Sequence, residues 1–419
     1  MPATNTHLMK GCRTMSRMKV HGRVADGFEP VREEFAAVVA EQDGQTGAQL
    51  TAYVHGRRVV DLWAGDEAGG DTLTGVYSST KGAATLVTAL LVQEGVLGLD
   101  EPVARHWPEF AAAGKDMITL RDVLTHRSGV IGVDGGLSAA ELADDAVIAR
   151  RLAAQRPYWR PGSAYGYGGF VTFALVNEVI RRVTGRSLQQ VYDERIRVPY
   201  GLDLYLGLPE AEERRFRPIQ WWTASPEQEA AFWANLPGPH SILGIGYGLN
   251  STPPLDQVAF ANTRAVRANG PASAGGVGSA RGLAGLYAAA VWGIDGRPPL
   301  LKPDTVAEFA QIHSTGADLV RGAQGNYALG SGPWPAPSPA APCRCPLETR
   351  DDQHELPLGR CLVIGTSSLP LVAGGLRGGA RGEQGRCGST PAVRARPFGE
   401  VVEAMRAPPT RRADGTCTR

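Results

Sequence analysis

A serine and a lysine three positions apart could together carry out catalysis. They lie in Ser78-Ser79-Thr80-Lys81, at the start of an apolar segment. Positions three apart lie on one face of a helix, so the Lys81 ammonium can fold back toward the Ser78 hydroxyl. A serine at a helix N-terminus also meets free backbone N–H groups that favour developing negative charge. Burial and the helix dipole disfavour a charged lysine there, which suits a general base near neutral pH. The spacing therefore predicts a nucleophile, Ser78, and a base, Lys81, for acyl transfer.

The same residues have an alternative interpretation, in which Ser78 or Ser79 only caps the helix and Lys81 extends to solvent. The chain has five lysines, and a second pair of this spacing, Ser16 and Lys19, is followed by no helical pattern. Lys81 instead lies one turn into an apolar helix, where a merely solvated lysine would usually be placed on the opposite face. This context favours the catalytic interpretation.

Hydrophobic periodicity predicts the elements that position this pair. Residues 48–63 contain two β-rich runs around the turn His55-Gly56-Arg57, a pattern typical of a hairpin. From Ser78 to Val96 the apolar spacing predicts a helix of about five turns. Further helices are predicted at Thr119–Thr125, Phe170–Thr184 and Ser279–Trp292. A hairpin followed by helices predicts an α/β (α+β) fold, with an antiparallel sheet flanked by helices and a mainly helical insert.

Composition argues against several classes of partner. The formal charge is +1 and no basic helix with interleaved aromatic residues occurs, so nothing indicates nucleic-acid binding. No apolar run reaches about 18 residues and no signal-peptide core is found, which predicts no membrane segment and a cytoplasmic location. No His, Asp, Glu or Cys cluster has metal-ligand spacing, so neither a metal nor a cofactor is implied. The expected partner is a small molecule, and the oligomeric state is left open.

The character of the sequence changes twice along the chain. Residues 1–24 are polar and irregular and are predicted to form a flexible extension, whereas residues 25–330 carry the patterns of one enzyme-sized domain. Residues 331–419 are rich in proline, glycine, arginine and cysteine, and Cys361-Leu362-Val363-Ile364 is one of their few strand-like runs. This composition is typical of disorder, or of a segment that has left the reading frame of the preceding domain.

Three groups of residues, in this order, resemble the class C β-lactamase-like serine hydrolases. They are Val76-Tyr77-Ser78-Ser79-Thr80-Lys81-Gly82, Leu124-Thr125-His126-Arg127-Ser128-Gly129 and Arg160-Pro161-Gly162-Ser163-Ala164-Tyr165-Gly166-Tyr167. The likeness is greatest to the carboxylesterase branch, which also carries the Gly-x-x-Val-Val-Asp-Leu-Trp found at Gly56–Trp63. The resemblance implies the β-lactamase and DD-peptidase fold and a serine hydrolase that cleaves carboxylic esters through an acyl-enzyme. Hydrolysis of a β-lactam or D-amino-acid amide on the same scaffold, or an inactive remnant, are the alternatives.

The resemblance also assigns roles to single residues. Ser78 matches the family nucleophile, Lys81 its base, and Tyr167 the tyrosine of the second motif, whose phenol relays a proton to the leaving group. Tyr165 is a lesser candidate, because the spacing from Pro161-Gly162 favours Tyr167. The asparagine that usually follows two residues after this tyrosine is replaced by Gly169.

A third motif, Lys-Thr-Gly or His-x-Gly on a strand, should follow the strand-like residues Asn326–Gly330, and the sequence does not contain it there. That strand would supply the second N–H of the oxyanion hole, beside the one from Ser78. Losing one such donor typically costs roughly 100 to 1,000-fold in rate. His126 is interpreted as a turn residue, because the chain has no Gly-x-Ser-x-Gly elbow and the Lys-Tyr pair makes a histidine base unnecessary.

Overall fold

The computed structural model describes residues 19–40, 47–65, 69–220, 225–330 and 363–366. The α-helices are α1 (Glu29–Ala40), α2 (Thr80–Gln93), α3 (Leu120–Leu124), α4 (Ala139–Leu142), α5 (Asp145–Ala154), α6 (Thr172–Thr184), α7 (Leu188–Tyr192), α8 (Val198–Tyr200), α9 (Pro226–Ala234), α10 (Ile242–Gly246), α11 (Gln257–Ala261), α12 (Arg264–Asn269), α13 (Ala280–Val291) and α14 (Pro303–Ala310). The strands are β1 (His21–Val24), β2 (Ala48–Val54), β3 (Arg57–Ala64), β4 (Thr74–Gly75), β5 (Leu204–Tyr205), β6 (Val277–Gly278), β7 (Ser314–Ala317), β8 (Gln324–Tyr327) and β9 (Val363–Thr366). Short 3₁₀ or π segments lie at Tyr77–Ser79, Val103–Arg105, Pro108–Gly114, Asp193–Arg197 and Glu210–Arg215.

The main sheet has the order β1-β3-β2-β9 and is antiparallel throughout. The predicted hairpin is confirmed as β2 and β3, joined by His55 and Gly56 with φ of +47° and +73°. Two positive φ values are what a two-residue hairpin loop needs to match the twist of its strands. Successive side chains of β2 point to opposite faces, so Leu50 packs in the cluster that α1 covers while Gln49 accepts a hydrogen bond from the Ala280 N–H of α13 at 3.0 Å.

A charged contact explains two residues of the motif at Gly56–Trp63. The Arg281 guanidinium of α13 donates to both oxygens of Asp61, at 2.8 and 3.0 Å, and lies 5.3 Å from the ring centroid of Trp63. A two-pronged guanidinium–carboxylate pair fixes orientation as well as distance. The pair therefore ties the hairpin to the helix that covers its second face.

The predicted helices are confirmed with small shifts at their ends. The helix expected at Ser78–Val96 is α2, a 14-residue helix preceded by the 3₁₀ turn Tyr77–Ser79. Its residues from Thr80 to Leu91 are all buried, so α2 forms the centre of the helical core. The other three predictions correspond to α3, α6 and α13; α6 ends at Gly185, whose φ of +73° is typical of a glycine C-cap.

The sequence patterns do not predict three of the short strands, β1, β4 and β5. β1 lies within the extension predicted for residues 1–24, because its backbone pairs with the free edge of β3, from His21 opposite Trp63 to Val24 opposite Val60. A four-residue strand is too short to show alternation. The two-residue strands β4 and β5 both pair with β6 and bring the segment before Ser78 beside residues 270–276, the glycine-rich loop before β6.

The termini are described only in part. Residues 1–18 of the predicted extension lie outside the described residues, and so does the predicted tail except for β9. β9 overlaps the strand-like run predicted at Val363 and Ile364, and it pairs with β2. Within the part of the chain that the structure describes, no helix has the length and apolar character needed to cross a bilayer.

Candidate active site

Ser78 lies at an exposed, strained turn. It is the middle residue of the 3₁₀ turn Tyr77–Ser79, and Tyr77 has a φ of +43°, in the left-handed region that costs energy for a residue with a side chain. Surrounding contacts hold this conformation: the Tyr77 hydroxyl donates to the Gln257 carbonyl at 3.1 Å, and the Thr80 hydroxyl donates to the Tyr77 carbonyl. The turn leaves the Ser78 side chain exposed above the buried start of α2.

The glycine-rich loop before β6 runs directly beside this turn. The Val76 N–H donates to the Gly276 carbonyl, and the Gly276 N–H donates to the Thr80 hydroxyl, both at 2.9 Å. A Cβ at position 276 would lie 2.6 Å from the Thr80 hydroxyl oxygen, so only glycine permits this approach. The close contact brings Ser273 of the same loop next to Lys81.

Lys81 is buried, with 2% of its surface exposed, and its ammonium has three acceptors. The Nζ atom donates to Ser78 Oγ at 3.2 Å, to the Gly169 carbonyl at 2.6 Å and to the Ser273 carbonyl at 2.8 Å. Burial lowers the pKa of Lys81 to about 7, because desolvation penalises the charged form. Near neutral pH this lysine can therefore gain or lose a proton within reach of the serine oxygen.

The Tyr167 hydroxyl contacts the same Ser78 oxygen from the segment that precedes α6. Its hydroxyl donates to Ser78 Oγ at 2.5 Å, and the Lys81 Nζ lies 4.9 Å from the centroid of its ring. Burial raises the pKa of Tyr167, an effect that the hydrogen bond to Ser78 opposes. The structure thus brings together the three residues that the sequence predicts as catalytic, with two proton-bearing groups on one serine oxygen.

Tyr165, the weaker sequence candidate, is directed away from Ser78. Its hydroxyl donates to the carbonyls of Gly316 and Gly325, at 2.5 and 2.8 Å, and so binds the β7–β8 hairpin. These contacts are structural, because both acceptors are backbone atoms of neighbouring strands.

His126 is buried and is held by the segment that carries Tyr167. Its Nδ1 accepts from the Gly168 N–H at 3.2 Å, and its φ is +59°. Burial and the nearby charge of Lys81 lower the pKa of His126 to about 3, so the imidazole is neutral. This geometry agrees with its interpretation as a turn residue rather than a base.

Two backbone carbonyls of the site were not recognised from the sequence. Gly169 was noted only as a departure from the family motif, and Ser273 was not singled out. A Cβ at position 169 would lie 3.1 Å from the Gly246 carbonyl oxygen, which explains the small residue there. The third-motif strand expected after Gly330 lies outside the described residues, and within them no group of three His, Cys, Asp or Glu side chains is placed to hold a metal ion.

Comparison with known proteins relates this geometry to a family. The sequence model of the family described as Beta-lactamase matches residues 33–342. The structure of EstA from Arthrobacter nitroguajacolicus Rue61a superposes with a TM-score of 0.69 at 40% identity, over 74% of this chain and 82% of that chain. A family VIII carboxylesterase superposes with a TM-score of 0.65 at 33% identity, again over 74% and 82% of the two chains.

A curated relative, Esterase/beta-lactamase LipL of Mycobacterium tuberculosis, is 34% identical over 205 residues, 46% of this chain and 46% of that protein. The chain spans about half the length of the curated relatives it matches. The family match covers most of the described residues and contains Ser78, Lys81 and Tyr167. On the strength of that match, this chain belongs to the beta-lactamase family.

Proposed function

We propose that this chain is a serine hydrolase that cleaves carboxylic esters through an acyl-enzyme on Ser78. One observation carries the proposal: a single exposed hydroxyl oxygen contacts both the Lys81 Nζ, at 3.2 Å, and the Tyr167 hydroxyl, at 2.5 Å. A nucleophile within hydrogen-bond reach of a base and of a second proton carrier is the arrangement that covalent acyl transfer requires.

The environments of Lys81 and Tyr167 give the two residues different roles in proton transfer. Lys81, with a pKa of about 7, supplies the base, since its neutral amine is populated at neutral pH. The pKa of Tyr167 is raised by burial, so its phenol stays protonated and serves as the donor. Two titratable groups whose pKa values are pushed in opposite ways mark an acid and a base.

The first half of the reaction forms the acyl-enzyme. Ser78 Oγ bonds to the ester carbonyl carbon while its proton passes to the Lys81 amine. The tetrahedral intermediate then expels the alcohol oxygen, which takes the Tyr167 proton as it leaves, and the Lys81 proton replaces it on the phenol. The products are the acylated serine and the alcohol, with lysine neutral again.

The second half regenerates the serine. Water adds to the acyl carbon and gives a proton to Lys81, and the Ser78 oxygen departs with a proton delivered through Tyr167. The carboxylic acid is released and both partners return to their starting forms. The carbonyl oxygen needs backbone N–H donors in both halves, and we assign one of them to Ser78 itself.

The substrate class rests on the similar proteins and on one feature of this chain. One superposed structure is described as a family VIII carboxylesterase, and two curated relatives are named Esterase/beta-lactamase LipL and Esterase EstB. Gly169 stands where the family usually has asparagine, and a Cβ at this position would lie 3.1 Å from the Gly246 carbonyl oxygen, so a side chain there requires that carbonyl to move by a few tenths of an ångström. Both points favour esters over the amides of β-lactams or D-amino acids.

The name Esterase/beta-lactamase of the LipL protein keeps β-lactam hydrolysis as a second candidate. Initial rates with p-nitrophenyl acetate and butyrate, compared with a chromogenic cephalosporin, separate the two. We expect faster ester hydrolysis, with an initial burst of p-nitrophenolate if deacylation is slow. Faster hydrolysis of the cephalosporin would favour the second candidate.

The serine itself is tested by a matched pair of variants. Ser78→Ala should abolish hydrolysis, whereas Ser79→Ala should retain it, because Ser79 is also exposed and its side chain makes no capping hydrogen bond. Hydrolysis that survives in Ser78→Ala would contradict the proposal. A wild-type protein inert toward all these substrates would instead support an inactive remnant.

A further inference from the structure

Asp318 is a buried carboxylate that the proposed reaction does not use. It lies directly after β7, in the turn that leads into β8, and only 2% of its surface is exposed. Burying a carboxylate is costly unless hydrogen bonds compensate it. The groups that donate hydrogen bonds to Asp318 therefore indicate which parts of the chain it fixes in place.

Both oxygens of Asp318 are satisfied, and their donors come from two separate parts of the chain. Oδ1 accepts from the backbone N–H groups of Val320 at 2.8 Å, Arg321 at 2.9 Å and Tyr167 at 3.2 Å. Oδ2 accepts from the Tyr327 hydroxyl at 2.8 Å. The first two bonds close the turn itself, but the other two connect it to Tyr167 and to the ring beside Tyr167.

Aromatic contacts connect Asp318 and Tyr327 to the ring of Tyr167, whose hydroxyl contacts Ser78. The Tyr327 ring stacks on the Tyr167 ring, with centroids 6.1 Å apart and planes at 25°. His126 packs against both rings, at centroid distances of 5.1 and 4.8 Å. The carboxylate thus fixes the backbone from which the Tyr167 side chain extends and one of the rings that flank it.

We propose that Asp318 is a positioning residue that keeps the Tyr167 hydroxyl on Ser78 Oγ, a role that rests on the proposed function. The contact between the two hydroxyls is 2.5 Å, so a displacement of the Tyr167 backbone by even 1 Å would lose it. Misplacement of a reacting group by about 1 Å can cost on the order of 100-fold in rate. A carboxylate that only stabilised the β7–β8 turn would affect folding and leave the rate of the folded protein alone.

A double-mutant cycle distinguishes these roles. Asp318→Asn keeps an oxygen for the backbone N–H groups but loses the acceptor for the Tyr327 hydroxyl and the negative charge. We expect kcat with p-nitrophenyl butyrate to fall about tenfold with KM little changed, and to fall less than about twofold when Tyr167 is already replaced by Phe. All kinetics are measured well below the Tm of the least stable variant.

Glu178→Gln is the matched control. Glu178 is also a buried carboxylate, but its partners are the side chains of Arg181 and Arg182 on the same helix. This variant should lower Tm and leave kcat unchanged in both backgrounds. If Asp318→Asn fails to fold, Tyr327→Phe replaces it and should lower kcat about threefold, again only when Tyr167 is present.

Equal losses with and without Tyr167, or an unchanged kcat in folded Asp318→Asn, would overturn the positioning role. The outcome is separable from the proposed function. A wild type without Ser78-dependent hydrolysis would overturn both, whereas wild-type hydrolysis with additive losses would overturn only the role of Asp318.

Discussion

Lys81 and Lys115 are both buried, but their ammonium groups contact different kinds of acceptor. Lys115 has no exposed surface, and its Nζ donates only to backbone carbonyls, those of Ala112 and Gln155 at 2.6 Å and that of Ala153 at 3.1 Å. Carbonyls accept and never donate, so all three bonds require the charged form with its three N–H donors. Removing the proton from Lys115 would leave one of these carbonyls without its lysine donor.

Lys81 has two carbonyls and one hydroxyl. When its amine is neutral, two N–H groups still serve Gly169 and Ser273, and the nitrogen lone pair accepts from the Ser78 hydroxyl, which can donate as well as accept. Both protonation states of Lys81 are therefore fully hydrogen-bonded. A single hydroxyl in place of a carbonyl therefore separates a lysine that can transfer a proton from a buried structural lysine.

The strongest test of this comparison is Lys81→Met. Methionine fills much of the same space but cannot accept a proton, so kcat/KM for ester hydrolysis should fall about 1,000-fold or more. Stopped-flow or steady-state assays with p-nitrophenyl butyrate measure the loss. A residual rate within about tenfold of wild type would show that the serine does not depend on this lysine.

Lys115→Met should produce the opposite pattern. It removes the lysine donor of three partly buried carbonyl hydrogen bonds and should lower the free energy of unfolding by roughly 3 kcal/mol, about 1 kcal/mol for each bond lost. Urea denaturation measures this change, and kcat per folded molecule should be unchanged. A large fall in kcat with normal stability would contradict the structural role.

Tyr167→Phe tests the second proton-bearing group at Ser78. It keeps the ring on which Lys81 and Tyr327 pack and removes only the hydroxyl that contacts Ser78. We expect kcat to fall about 100-fold, since one proton donor is lost while the base remains. The matched change Tyr165→Phe should leave kcat within about twofold, because its hydroxyl binds only backbone carbonyls of the β7–β8 hairpin.

The pH dependence of the wild-type rate tests the protonation of Lys81 without any substitution. Below a pKa of about 7 the Lys81 amine becomes charged and can no longer accept the serine proton. The plot of kcat/KM should therefore rise about tenfold per pH unit below 7 and level off above it. Lys115→Met should keep this profile; a profile that is flat between pH 5 and 8 would rule out a base of this pKa.

The sequence is most informative where local chemistry decides the structure. The hairpin follows from the His55-Gly56 loop, and α6 and its end follow from apolar spacing and Gly185, because these signals involve neighbouring residues only. Ser78 and Lys81 are likewise one helical turn apart. Tyr167 lies 89 residues after Ser78, so its place could be inferred only from the family resemblance.

Burial and long-range backbone contacts could not be inferred. Nothing around Lys115 distinguishes it from a solvated lysine, since its acceptors are carbonyls and any residue type supplies one. Asp318 shows the same limit, because three of its donors are backbone N–H groups. β1 and the two-residue strands of the small sheet are too short for periodicity. Residues 1–18 of the predicted extension, the predicted tail apart from β9, and the third-motif strand lie outside the described residues and remain predictions.

The most direct test of the account is the titration of the two buried lysines by NMR. With five lysines in the chain, ¹³Cε-lysine labelling gives few signals, and Lys81→Met and Lys115→Met assign the two that matter. We expect the Lys81 signal to titrate with a pKa of about 7. Burial also lowers the pKa of Lys115, but this lysine should stay charged to higher pH than Lys81, because its three carbonyls accept from all three N–H groups. A Lys81 signal that remains that of a charged ammonium up to pH 10, or a Lys115 that loses its proton first, would contradict it.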